Sequence, residues 1–188
     1  MNHTLVIFSG LPGTGKSTLA SQLAHELRWP LLRIDDVVGE VPEIAGVEFW
    51  DSKVVILLDV TEVQLELGLS VIVDSVFMNT DRHHAQELAR EHHARFRPIY
   101  THISDEKVWE QRVTERHQKL DFPDVATWEQ VQRQRGHFRP WEPNTALFVD
   151  TMDSPEKNYE AVRQFVTSEA VPLKPLDDVL WSPGKYHG

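Results

Sequence analysis

Residues 10–17 read Gly10-Leu11-Pro12-Gly13-Thr14-Gly15-Lys16-Ser17, and no other stretch restricts the fold of this chain as tightly. The spacing is G-x-x-x-x-G-K-[ST], and its context decides its meaning. An apolar run, Thr4 to Phe8, precedes it. After it, Lys16 to Arg28 places Leu19, Leu23 and Leu27 on one helical face. A buried strand, a glycine turn and a helix make a phosphate cradle. The glycines let backbone N–H groups turn inward as an anion nest. The helix start adds its positive end. The expected nucleotide contacts are therefore Gly10, Leu11, Pro12, Gly13, Thr14, Gly15, Lys16, Ser17 and Thr18. Lys16 suits β- and γ-phosphate oxygens, and the Ser17 hydroxyl suits Mg²⁺, so ATP and Mg²⁺ are the expected cofactors.

The same alternation of strand and helix continues along the chain. Leu31–Ile34 reads as a second strand ending at Asp35-Asp36, and Val37–Gly46, with two glycines and Pro42, as a loop. Phe49–Leu67 fits a helical stripe closed by Gly68, although its apolar run 54–59 also suits a strand. Further strands are expected over Leu69–Val73 (ending at Asp74), Phe96–Ile103 and Ala146–Val149. Helices are expected over Asp81–Ala94 with Thr80 as N-cap, Asp105–Lys119, Asp124–Gly136, and Pro155–Thr167 with Ser154 as N-cap. This order implies an α/β fold, a parallel sheet wrapped by helices. Val171–Gly188 holds three prolines and no periodicity, and reads as an extended tail.

Composition narrows the function. The 188 residues suit one domain. With no cysteine, thiolate metal sites, disulfides and cysteine nucleophiles are excluded. A formal net charge of −10 disfavours a nucleic-acid partner. No apolar run is long enough for a membrane span, and the expected location is cytoplasmic. The adjacent pairs His83-His84 and His92-His93 have no three- or four-residue spacing between them, so no helical zinc pair is expected. The six tryptophans read as packing residues. Nothing in the sequence sets the oligomeric state.

Nucleotide-binding classes separate on secondary motifs. The guanine-reading Asn/Thr-Lys-x-Asp is missing, and Asp36-Val37-Val38-Gly39 matches D-x-x-G at only two positions. There is no Leu-Ser-Gly-Gly-Gln signature. An AAA+ motor wants a strand ending in Asp-Glu, whereas Asp59 and Asp74 precede Val60 and Ser75. An acid at the edge of a phosphate cradle is suited to orient or deprotonate a hydroxyl acceptor. Asp35 and Asp36 stand where ligands bind in such sheets. Arg112 and Arg116, four apart on a helix, present two guanidinium groups suited to phosphate oxygens. Pairing with Glu110 and Glu115 is the competing role for them.

Gly10–Thr18, Ile34-Asp35-Asp36, Leu69–Ser75 and Arg112-x-x-x-Arg116 together resemble the small P-loop kinases: polynucleotide 5′-hydroxyl kinases, chloramphenicol phosphotransferase, gluconate kinase and zeta-toxin kinases. The resemblance covers about residues 4–150. It implies a three-layer P-loop NTPase sandwich, a five-stranded parallel sheet in the order 2-3-1-4-5, and a helical lid near 105–139. The kinase domain would span 1–170 and the tail 171–188. It also implies roles: Asp35 as base, Lys16, Arg112 and Arg116 on the transferred phosphoryl, and Asp74 beside Ser17 at the metal. Asp36, Asn79 and Arg82 would face the acceptor. Ile34 replaces the arginine of the polynucleotide kinases, which turns the expectation toward a small-molecule hydroxyl. A 5′-hydroxyl polynucleotide kinase and an acceptor-free ATPase or switch are the alternatives.

Overall fold

A computed structural model of the chain describes residues 3–37, 49–119 and 125–176. β1 (Thr4–Ser9) is buried throughout, with Leu5, Val6, Ile7 and Phe8 fully inaccessible. Apolar side chains on both faces require cover on both faces, and the sheet supplies it by sitting between two helical layers. Its strands run parallel in the order β2-β3-β1-β4-β5, with β2 spanning Leu31–Arg33, β3 Val71–Asp74, β4 Arg95–His102 and β5 Leu147–Asp150. The expected strand order is therefore found.

One face carries α1 (Lys16–Leu27) and α7 (Pro155–Thr167), whose Leu19, Leu23, Val162 and Val166 pack on Val6, Phe8 and Ile72. The other carries α3 (Phe49–Glu66) and α4 (Asn79–Glu91), with Leu57, Leu58, Leu65, Ala85 and Leu88 against Leu5, Ile7 and Val73. The helical reading of the ambiguous segment holds. Gly68 closes α3 at φ +70, with Gly68 N–H donating to the Leu65 carbonyl and Leu69 N–H to that of Gln64. That paired bond pattern needs a left-handed residue, which glycine adopts without strain. α5 (Glu106–Lys119) and α6 (Trp128–His137) form a third cluster with Leu11 of the glycine turn.

Several boundaries move. β2 stops at Arg33, and Ile34–Val37 forms a helical turn, α2, so Asp35 and Asp36 are not a strand end. α4 begins at Asn79, not Asp81; Thr80 lies inside it, and the Asp81 carboxylate accepts from the Met78 N–H at 2.8 Å. α6 begins at Trp128, not Asp124, because the Thr127 hydroxyl accepts from the Gln130 N–H. Ser154 caps α7 as expected. Pro98 fits β4 because the ladder to β5 begins at Ile99, leaving a partner on the β1 side alone. The expected loop falls largely at 38–46, outside the described residues, as does the tail beyond 176. Residues 171–176 have no regular structure, and Leu173 and Leu176 pack on opposite faces of the sheet. No helix among the described residues is long and apolar enough to cross a membrane.

Candidate active site

The glycine turn leaves β1 at Ser9 and enters α1 at Lys16. It is hemmed in by elements far away in sequence. A Cβ on Gly10 would stand 2.4 Å from the Thr101 carbonyl oxygen on β4. A Cβ on Gly13, whose φ is +82, would meet Val113 Cγ2 on α5 at 2.6 Å. Thr14 Oγ1 lies 2.8 Å from both the Leu11 carbonyl and Thr101 Oγ1. The turn's shape is thus held by packing and hydrogen bonds.

The charged groups converge at the mouth of the turn. Lys16 Nζ rests 3.5 Å from the Leu11 carbonyl. Burial pushes its pKa below the ordinary 10.5; Asp74 and Asp35 push it up, and Arg116 pushes it down. Burial raises the Asp74 carboxyl above its ordinary range, opposed by the Lys16 charge, the Ser17 hydroxyl and Arg33, and reinforced by Asp35. Asp74, Asp35 and Arg116 therefore each lie within electrostatic reach of Lys16, and Ser17 bonds the Asp74 carboxylate. Three separate segments deliver the three partners of Lys16. Asp74 ends β3 opposite both Phe8 and Arg33, Asp35 stands on the α2 turn, and Arg116 on α5.

Asp74 Oδ1 is buried and meets no hydrogen-bond donor among the described residues. A buried acceptor without a partner is costly, and a cation or its bound water is the partner that oxygen suits. No group of three or more His, Asp or Glu side chains converges among the described residues. The donor set thus fits Mg²⁺, which uses few protein ligands and keeps waters and phosphate oxygens.

The other expected residues separate. Asp36 is exposed and ion-paired with Arg33 at 2.6 Å. Neighbours in a helical turn differ by about 100° in direction, not by the two opposite sides of a strand. Arg112 bypasses Glu110 and Glu115 and donates to Thr151 Oγ1 at 3.0 Å and to the Thr151 carbonyl at 3.2 Å. Arg112, Glu115, Arg116 and Lys119 line an open groove of about 370 Å³ on α5. Asn79 is half-buried at the start of α4.

Arg82 is not a solvated helix start. It is 5% exposed, lying 4.8 and 4.7 Å over the Phe138 and Trp141 rings. Its Nε donates to the Phe77 carbonyl and its Nη2 to that of Arg139, and burial lowers its pKa to about 10. Contact with an acceptor would fall to Nη1. Phe77 itself is fully buried with φ 52, a left-handed turn at a non-glycine residue that Arg82 braces. Thr101, Trp109 and Thr151 carry no signal in the sequence; only the packing of β4, α5 and the end of β5 brings them to the turn.

A family model described as an AAA domain, AAA_33, matches residues 5–141. The chain belongs to that family. Membership does not bring the motor-type Asp-Glu pair, since Ser75 follows Asp74 at the end of β3. No curated protein matches the sequence. Among solved structures, a Chloroflexus aurantiacus protein assigned provisionally as a kinase has 24% identity and a TM-score of 0.65, covering 88% of this chain and 94% of its own. A gluconokinase from Sinorhizobium meliloti has 17% identity and a TM-score of 0.65, covering 87% and 91%. Chaetomium thermophilum Kti12, in complex with ADP-AlF3, has 17% identity and a TM-score of 0.65, covering 87% and 100%. These likenesses establish the P-loop fold shared with small kinases.

Proposed function

We propose that the chain is an ATP-dependent phosphotransferase that moves the γ-phosphoryl group of ATP to a hydroxyl of a small molecule. The observation that carries this reading is the cluster at the mouth of the turn. A simple phosphate binder needs Lys16, whereas Asp35 and Arg116 beside it suit an acceptor and a migrating charge. Ser17 and Asp74 would hold Mg²⁺. When bound, Mg²⁺ supplies charge neutralisation at the phosphate oxygens.

The chain's own residues divide the work. Backbone N–H groups of the turn and Lys16 hold the phosphates. Asp35 receives the hydroxyl proton as the acceptor oxygen bonds to the γ-phosphorus. The bond from that phosphorus to the β–γ bridging oxygen breaks, and ADP leaves with the bridging oxygen. Arg112 and Arg116 stabilise charge on the transferred group from the lid formed by 105–139. Asn79 is a proposed acceptor contact, whereas the Asp36 carboxylate is held by Arg33. The kinase unit would comprise 1–170, with a cytoplasmic location as part of the same proposal.

The test is ATP consumption by the purified chain and by Asp35→Asn, measured against a panel of hydroxyl compounds and 5′-hydroxyl oligonucleotides. Stimulation by a small alcohol that disappears in Asp35→Asn supports the reading. Stimulation by oligonucleotides alone, weakening with salt, marks a polynucleotide kinase instead. A rate indifferent to every acceptor marks an ATPase or switch and overturns the reading.

A further inference from the structure

We infer that Trp109 is a positioning residue for the phosphate site: its indole N–H sets the direction of the Gly13 amide and so completes the anion nest. This rests on the reading of the glycine turn as a nucleotide site, and not on the identity of any acceptor.

The geometry is direct. Trp109 Nε1 donates to the Pro12 carbonyl at 2.8 Å, across 97 residues of sequence. That carbonyl belongs to the same peptide plane as the Gly13 N–H. In a trans peptide the two groups point in opposite directions. Drawing the Pro12 oxygen toward α5 therefore turns the Gly13 N–H away from α5. An anion nest needs its N–H groups convergent and its carbonyls turned out. Gly13, at φ +82, has the conformational freedom to flip, so a fixed partner for its peptide plane matters.

The indole is itself held. Trp109 is 6% exposed, and the absent Cβ of Gly13 leaves the space that its ring edge and Val113 fill. Trp128 of α6 packs edge-on at 5.2 Å, and the Arg135 guanidinium lies 5.6 Å over the ring while bonding Glu106 at 3.0 Å. α5 and α6 thus press one donor onto the turn. The other turn carbonyl in this corner, Leu11, takes its bonds from Thr14 and Lys16 within the turn itself. Pro12 depends on α5.

The variant Trp109→Phe keeps a ring and loses the donor. Its affinity for ADP, by titration calorimetry without acceptor, is expected to fall about 5- to 10-fold, the scale of one backbone hydrogen bond. Its affinity for adenosine, which has no phosphate, is expected to stay unchanged. A merely structural role would move both ligands or neither. Equal ADP affinity in the variant and wild type overturns this inference and leaves the nucleotide site standing. A wild type that binds no ADP overturns both. Should the variant fail to fold, amide and indole resonances of the wild type decide. The Trp109 indole proton should exchange slowly, and the Gly13 amide should shift on ADP addition. Free exchange of the indole, or a Gly13 amide unmoved by ADP, overturns the inference.

Discussion

The two halves of the candidate site are built differently. The phosphate half is a backbone structure: a turn whose Leu11 and Pro12 carbonyls are taken by named donors, fixed between β4 and α5. The acceptor half is a side-chain structure. Asp35 stands exposed on a four-residue helical turn that precedes residues outside the described part of the chain. A cradle of backbone groups beside an acceptor side of side chains is a sensible division, because every nucleotide has the same phosphates while acceptors differ. It also teaches where mutations should act. Changes in the cradle should alter nucleotide handling, and changes on the acceptor side should alter turnover alone.

The largest effect is expected for Lys16→Ala. Phosphoryl transfer should fall by about 10³-fold or more, since a preorganised charge on the transferring group is lost. The protein should remain folded by circular dichroism, because burial already disfavours the charge on Lys16. Near wild-type turnover would end the assignment of the cradle.

Asp35→Asn comes next and tests the division itself. Turnover with the true acceptor should fall by about 10²–10⁴, the range of a lost general base. ATP affinity should change little, because no phosphate contact depends on this carboxylate. Equal losses in affinity and turnover would merge the two halves into one.

A smaller effect is expected from pH. The folded-state pKa of Asp74 is raised, so its protonated form persists to higher pH than an ordinary aspartate. Mg²⁺-dependent ADP binding should therefore weaken on acidification at a pH above the usual carboxylate range. The fold runs the other way: ionising Asp74 opposes folding, so its contribution to stability is lost as pH rises from the unfolded pKa through the raised one. Asp74→Asn should remove the acid limb of the binding profile together with most of the Mg²⁺ dependence. A wild-type profile flat down to pH 4 would show that Asp74 does not face the metal.

The smallest effect belongs to Asp36→Asn. Its partner Arg33 is exposed, and exposed ion pairs contribute little. Turnover and thermal midpoint should both stay near wild type. Loss of turnover here, with Asp35→Asn active, would move the base by one residue and show that α2 presents the other acid.

Much of this fold is legible in the sequence. The strand–turn–helix of residues 4–27 follows from an apolar run, glycine spacing and a leucine repeat, all local signals. The helical choice for 49–66 rested on a stripe and on Gly68, and the cap bonds show why that sufficed. Misplaced boundaries share a cause. Thr80 reads as a cap and Asp124 as a helix start, yet the starts are set by which N–H group a side chain reaches, Asp81 to Met78 and Thr127 to Gln130. Arg82 was legible as important but not as buried, since its aromatic partners lie over fifty residues away.

The sequence by itself determined that residues 10–18 form a glycine turn between a buried strand and a helix and that a parallel sheet carries it, because both depend on bonds and periodicities within a few residues. Only the tertiary structure decided that Arg82 is enclosed and that Trp109 reaches Pro12. Those outcomes depend on contacts between segments distant in the chain. No local pattern encodes them, because a side chain's partner there is fixed by how the sheet and its two helical layers pack.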